Sequence, residues 1–344
     1  MKHENGKRFY KGNNMRKCAF VLPYYGKFGN YFQLFLNSCA TNTDYDWLIF
    51  TDDHEEYEYP SNVHVHYESF KDMQARVQGK FNFPTALEAP YKLCDLKPMY
   101  GYLFSEYLQD YEHWGYCDCD MVFGRLSRFI TDAMLENYDK LFVLGHCSIL
   151  KNNDENNARF MLPLNGRELY KEVLQTNRIL TFDESYLPTN VNMIYKEHGF
   201  PVFTEDYSSN PRARESVFQI TRFNDDLTTY CTEKASKAVY VWRDGVLTRY
   251  TRNLGNFVAS ELMYMHFQRR DMVVRLPGQT ASAKVFKILP GAFEPLEVDE
   301  VTENNFADIR WKRTRDITRH RWNIFKGDMK FWYKRVLSKL SGNR

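Results

Sequence analysis

Cys18-Ala-Phe-Val-Leu22 is a short, unbroken apolar run that stops at Pro23-Tyr24-Tyr25-Gly26, and the fold is read outward from it. A run of that length closed by turn formers is a buried strand. Apolar residues then recur at Phe32, Phe35, Leu36 and Cys39, a helical period within the stretch from Phe28 to Cys39. Trp47-Leu-Ile-Phe50 is a second continuous strand, stopped by Thr51-Asp52-Asp53, and Val63-His-Val-His-Tyr67 alternates as a third. Strand, helix, strand, with the first two strands apolar throughout, predicts an α/β fold with a mostly parallel sheet and helices on both faces.

Further along, Tyr91-Lys-Leu-Cys-Asp95-Leu-Lys-Pro98 predicts a helix with Asp95 as N-cap and Pro98 in the first turn, where a missing N–H costs nothing. His113-Trp-Gly-Tyr-Cys117 reads as a strand running straight into Asp118-Cys119-Asp120, and Leu141–Leu144 as another. The second half predicts a helix over Glu184–His198 closed by Gly199, and a hairpin turning at Asp244-Gly245. Ala259–Gln268 suits a helix or a strand equally.

The whole chain has 344 residues, enough for one large domain or two ordinary ones. Its 46 basic and 44 acidic residues nearly cancel, which excludes a globally basic nucleic-acid coat and an acidic disordered tail. The seven cysteines form no CxxC pair and no secreted framework, as expected of reduced thiols. The N-terminal Met-Lys-His-Glu-Asn-Gly-Lys-Arg lacks the apolar core of a signal peptide, and no apolar run approaches the roughly 20 residues that span a bilayer. Charge is unevenly placed. Residues 310–344 hold 12 Lys/Arg against two Asp, a net of +10, so the rest of the chain is mildly acidic at −8.

Asp118-x-Asp120 is the first candidate site. Ligands of open α/β sheets sit beyond the carboxyl ends of the strands, where two carboxylates one residue apart can face a divalent ion that also holds a diphosphate. Asp44-x-Asp46 has the same spacing but precedes a strand, and reads as a solvated turn. Cys117 and Cys119 lack the further ligands that a zinc site needs. Asp52-Asp53 also follows a strand and reads as a nucleoside contact or as a solvated turn. Lys92, Asp95 and Lys97 surround a helix start that suits an anion, with plain capping as the other reading of Asp95. Asp183-Glu184 suits a general base, a holder of sugar hydroxyls or a helix cap. His266 reads as a metal ligand or a core histidine, with Arg269 or Arg270 near phosphate. His64, His66, His113, His146 and His198 receive no role. There is no P-loop, no G-x-G-x-x-G, no G-x-S-x-G and no H-E-x-x-H. Those absences argue against a P-loop kinase, an ordinary dehydrogenase, a serine hydrolase and a zincin protease.

Cys18–Tyr25, Thr51-Asp-Asp53, Tyr91–Pro98 and above all Trp114-Gly-Tyr-Cys-Asp-Cys-Asp-Met-Val-Phe-Gly124 resemble bacterial GT-A-type glycosyltransferases of capsule and polysaccharide loci. Phe182-Asp-Glu184 and His266-Phe-Gln-Arg-Arg270 are similar to that group too. The resemblance implies a GT-A-like, Rossmann-type domain over residues 15–305, with a nucleotide-sugar half over 15–150 and an acceptor half over 151–305. It implies Mn²⁺ or Mg²⁺ on Asp118, Asp120 and His266. Donor contacts are expected at Pro23, Tyr24, Tyr25, Asp52, Asp53, Lys92, Asp95, Lys97 and Arg269. The expected activity is transfer of a hexose from a UDP-linked donor to a lipid-linked or growing surface glycan, with Asp183, or else Glu184, as base. The Ser-Tyr-Leu-Pro-Thr-Asn that follows Glu184 departs from the small, Gly-rich pattern of that group. A sugar nucleotidyltransferase and a non-catalytic membrane-associated scaffold are the alternatives.

Residues 306–344 are expected to form a basic, aromatic helical extension. Phe325, Met329, Trp332, Val336 and Leu340 recur at steps of three and four, with lysines off that stripe or flanking it. Such a helix suits an anionic membrane surface, and places the protein in the cytoplasm at the inner face of the plasma membrane. The acidic body argues against nucleic acid as a partner.

Overall fold

The computed structural model describes residues 16–185, 187–211, 218, 220–223, 230–234, 237–253, 255–268, 270, 272–278 and 280–309, and beyond them 318–319, 321–323, 325–326, 329–330 and 332–333. The first nine strands are β1 (Arg16–Tyr24), β2 (Tyr45–Thr51), β3 (Val63–Tyr67), β4 (Tyr111–Cys117), β5 (Met121–Phe123), β6 (Lys140–Leu144), β7 (Cys147–Lys151), β8 (Val202–Phe203) and β9 (Ser208–Ser209).

Seven of them form the main sheet, in the order β3-β2-β1-β4-β7-β6-β8. The β3-β2-β1-β4 block is parallel, with Phe20 opposite Trp47 on one side and Gly115 on the other. β7 then runs antiparallel to β4, β6 antiparallel to β7, and β8 parallel to β6. This is the expected α/β fold with a large, mostly parallel sheet. Every residue of β2 is buried, as a strand covered on both faces must be. One face packs Phe20, Phe35, Trp47 and Phe123 under the helix Phe32–Ala40, and the other packs Val21, Phe50, Phe104 and Trp114.

From residue 237 onward a second sheet is antiparallel except for one parallel pair at its edge. Six strands pair in the order Asn256–Leu262, Val246–Asn253, Lys237–Arg243, Val285–Leu289, Ala292–Glu294 and Val273–Val274. The expected hairpin is present, and Asp244 and Gly245 at its tip both take positive φ (44° and 86°), as a two-residue primed turn demands. A separate sheet of three short strands sets the Tyr264–His266 strand between β5 and β9. It resolves the ambiguity at 259–268: the segment is the end of one strand and the whole of another.

Three expectations change. Asp46 does not lie in a solvated turn ahead of a strand: it sits inside β2, 1% exposed, and accepts from Tyr111 Oη at 2.6 Å. Asp95 does not cap a helix start, because residues 90–103 form a chain of single turns, 3₁₀ then α then 3₁₀ then α, with Asp95 inside the second. Pro98 lies in the third turn and interrupts a continuous α-helix. The helix expected from Glu184 begins only at Val191, capped by Asn190, whose side chain accepts from Asn192 N and Met193 N. Asp183 and Glu184 lie in a turn ahead of it. Among the described residues no helix is long and apolar enough to cross a membrane. Most of the basic extension lies outside the described residues. Those that are described are helical, and Trp322, Phe325, Met329 and Trp332 are more than half exposed.

Candidate active site

In the order β3-β2-β1-β4 the chain leaves β1 toward one side for β2 and β3 and returns on the other side with β4. The gap between the carboxyl ends of β1 and β4 is the place where an open α/β sheet has no crossover to fill it. A cavity of about 1230 Å³ lies there, lined by Leu22–Tyr25 at the end of β1 and Cys117–Asp120 at the end of β4.

Three short strands complete this end of the sheet. β5 begins one residue after Asp120, and its register sets His266 opposite Met121, with Phe267 N donating to Asp120 O at 2.8 Å. His266 Nε2 therefore lies 3.4 Å from Asp118 Oδ2 and 3.3 Å from Asp120 Oδ1. Ligand atoms of Asp118, Asp120 and His266 all fall within 4.8 Å of one another. Two hard carboxylates and one imidazole, part-buried and converging, are a donor set that fits Mn²⁺ or Mg²⁺. Burial disfavours a charged His266, but the two carboxylates outweigh it and raise its pKa above the usual range.

Lys97 ties this cluster to the other side of the cavity. Its ammonium donates to Asp118 Oδ1 at 2.6 Å and to Gly145 O at 2.8 Å, and stands 3.6 Å from Asp183 Oδ2. Burial opposes its charge, yet Asp118 and Asp183 hold its pKa well above the ordinary lysine range. Asp183 is the buried acid of the site. Burial, with Glu184, Asp95 and Asp118 adding to it and Lys97 opposing, pushes its carboxyl up to about 8. Gly145 is the residue that admits it, since a Cβ there would stand 2.7 Å from Asp183 Oδ2. Gly145 and His146 form the tip between β6 and β7, below a bulge at which Phe142 takes φ 68°. Lys140 Nζ and Ser148 Oγ both donate to Phe142 O and hold that bulge. Burial drives the Lys140 pKa down to about 7.

The cavity wall holds Pro23, Tyr24, Tyr25, Lys97, Asp118, Asp120, Asp183, Glu184 and His266 of the sequence-predicted residues. Asp52, Asp53, Lys92 and Asp95 do not line it. Asp52 Oδ1 accepts from Gly26 N at 2.7 Å. Asp53 accepts from Lys27 Nζ, Phe28 N and Glu55 N at 2.7–3.1 Å. Lys92 and Asp95 are a fully buried ion pair at 2.7 Å. Lys92 also donates to Arg178 O, while Asp95 accepts from Leu180 N and Phe182 N at 2.8 and 3.0 Å. The pair thus anchors the turn that presents Asp183. Arg269 lies outside the described residues, and Arg270 is on the cavity wall.

Sequence reading missed His146, Asn210 and Gln268. The His146 ring stacks on His266 with centroids 4.3 Å apart, and its Nδ1 meets Tyr264 Oη at 3.0 Å. Asn210 follows β9 and reaches His266 through strand register alone. No spacing in the sequence announces such neighbours.

Residues 20–297 match a protein family described as a family of unknown function (DUF6625). Among curated proteins none matches. Among solved structures the chain is similar to a galactosyltransferase, LgtC, in complex with donor and acceptor sugar analogues. That likeness has 9% identity and a TM-score of 0.33 over 57% of this chain and 76% of that one. It is also similar to mouse xyloside xylosyltransferase 1 in its apo form, at 8% identity and a TM-score of 0.36 over 57% and 87% of the two chains. An active-site mutant of LgtC gives 10% identity and a TM-score of 0.36 over 73% and 87%.

Proposed function

The chain belongs to the DUF6625 family, and for this member we propose a metal-dependent glycosyltransferase that moves a sugar from a nucleotide-diphosphate donor to a glycan hydroxyl. The observation that carries the proposal is the convergence of Asp118, Asp120 and His266 at the gap between β1 and β4, in a cavity shared with a buried Asp183. Asp118, Asp120 and His266 hold Mn²⁺ or Mg²⁺, which when bound neutralises charge on a departing diphosphate. Lys97 brings a second cation to the same wall. Pro23, Tyr24 and Tyr25 receive the nucleoside, and Asp52, Asp53, Lys92 and Asp95 shape the loops around it rather than touch it. In an inverting reaction the acceptor hydroxyl gives its proton to Asp183, its oxygen bonds the sugar's anomeric carbon, and the bond to the diphosphate breaks. In a retaining reaction Asp183 orients the acceptor instead. Glu184 is the second choice for either part.

The finer reading is a UDP-linked hexose donor and a lipid-linked or growing bacterial surface glycan as acceptor. The acceptor part is supported by the basic charge of residues 310–344 and the exposed Trp322, Phe325, Met329 and Trp332, which suit docking on the anionic inner face of the plasma membrane, while the UDP-linked hexose follows only from the resemblance of residues 114–124. The nucleotidyltransferase alternative needs free backbone N–H groups near residues 23–29 for a triphosphate. Gly26 N and Phe28 N are already engaged by Asp52 and Asp53, which disfavours it. A scaffold has no use for a buried carboxyl beside a metal-type cluster. A thermal-shift screen of UDP-, GDP- and CMP-sugars with and without Mn²⁺ tests the proposal, because ligand binding raises apparent stability by mass action. Stabilisation by UDP-sugars only with metal, together with slow release of UDP, is expected. Absence of any nucleotide effect overturns it.

A further inference from the structure

We infer that Asn210 is the positioning residue that fixes His266 in the ring orientation and tautomer a cation needs. The inference rests on the metal-centre reading above. β9 pairs in parallel with the Tyr264–His266 strand, Ser208 beside Tyr264 and Ser209 beside Met265, so the next residue, Asn210, falls beside His266. Asn210 is 2% exposed, and its Oδ1 stands 3.3 Å from His266 Nδ1. Gln268 Nε2 donates to the same oxygen at 2.6 Å. An amide nitrogen only donates, so Oδ1 is the acceptor for both neighbours. When a cation displaces the Nε2 proton, the one proton left on the His266 ring is then held on Nδ1, and Nε2 offers its lone pair. Nε2 is the atom that faces Asp118 and Asp120. A hydrogen bond from the far ring nitrogen is the usual means of fixing a histidine ligand's tautomer and raising its basicity.

Asn210 is itself held in place. Its backbone carbonyl accepts from Thr221 N and Thr221 Oγ1 at 3.0 and 2.9 Å. The His146 ring stacks on His266, which confines that ring in the second dimension.

The test is Mn²⁺ binding by the full chain, followed as loss of the free-ion electron paramagnetic resonance signal, with metal alone and with metal plus UDP. Asn210→Leu removes the acceptor and should weaken Mn²⁺ binding about 10–100-fold. Asn210→Ala serves the same purpose if the leucine variant fails to fold. Asn210→Asp keeps an acceptor at that place and should restore wild-type affinity or better. A purely structural role would not be rescued by adding a charge to a buried site. Wild-type affinity in the leucine or alanine variant, or no rescue by aspartate, overturns the inference while leaving the metal centre intact. Failure of the wild type to bind Mn²⁺ in either condition overturns the metal-centre reading, and this inference with it.

Discussion

Two parallel strands of the same sheet end in aspartates, and the structure gives the two ends opposite surroundings. At the end of β2, Asp53 is 2% exposed and its carboxylate accepts from Lys27, Phe28 N and Glu55 N. Asp52 accepts from Gly26 N. Those bonds go to the loop after β1 and to the turn itself. At the end of β4, one strand beyond β1 on the other side, Asp118 and Asp120 face each other and His266 across less than 5 Å, on a cavity wall. A buried carboxylate must be compensated by hydrogen bonds or by a cation. At β2 backbone N–H groups and the Lys27 ammonium supply the compensation. At β4 converging carboxylates meet Lys97 and His266, and on the proposed reading a divalent ion completes their compensation. On that proposed reading, position relative to the gap between β1 and β4, and not the aspartates themselves, separates a loop brace from a metal centre.

The comparison is sharpest at the β4 end, where the largest effect is expected. Asp120→Asn keeps the shape and removes one charge from the cluster. Donor turnover, measured as UDP release, should fall by orders of magnitude while the melting temperature holds. Asp183→Asn comes next, with a loss of about 10²–10⁴-fold in transfer and unchanged donor binding. Because burial raises the Asp183 pKa to about 8, the carboxyl keeps its proton at lower pH and accepts none. Wild-type transfer should rise with pH and level off above about 8, and a pH–rate profile of the asparagine variant should lack that limb.

At the β2 end the effects should move from rate to stability. Asp53→Asn removes a buried charged acceptor and should cost about 1–3 kcal/mol by denaturant unfolding, with turnover per folded molecule close to wild type. Lys27 and the two backbone N–H groups outweigh burial and lower the Asp53 pKa. Its stabilisation is therefore complete above the unfolded carboxyl pKa of about 3.9 and lost as pH falls through the lower folded value. The asparagine variant should lack that part of the acid sensitivity. Asp52→Asn, at an exposed residue, should cost about 1 kcal/mol or less. A metal-dependent loss of turnover in either β2 variant, with stability unchanged, would break the distinction.

How much of this was legible in the sequence follows from the same contrast. β1, β2 and β4 were legible because strands covered on both faces read as continuous apolar runs that end at polar turns. Asp118 and Asp120 were legible because a strand led into them. Asp95 looked like a helix cap because Pro98 follows three residues on. Apart from Lys92, its actual partners, Leu180 N and Phe182 N, lie more than 80 residues downstream. The Tyr264–His266 strand was ambiguous because three residues are too few to display a period of two or of 3.6. His146 and Asn210 come to His266 through a hairpin tip and a strand register, neither of which local patterning encodes. The hairpin at Asp244-Gly245 was legible because both of its turn residues must take positive φ.

The central claim is that the β4 end, and not the β2 end, holds a cation that binds a nucleotide diphosphate. Calorimetric titration of UDP into the wild type, Asp118→Asn, Asp120→Asn and Asp53→Asn, each with Mn²⁺ and with EDTA, tests it most directly. The account predicts Mn²⁺-dependent binding in the wild type and Asp53→Asn, and its loss in both β4 variants. Equal UDP binding by Asp120→Asn and the wild type, or binding indifferent to EDTA, would contradict it.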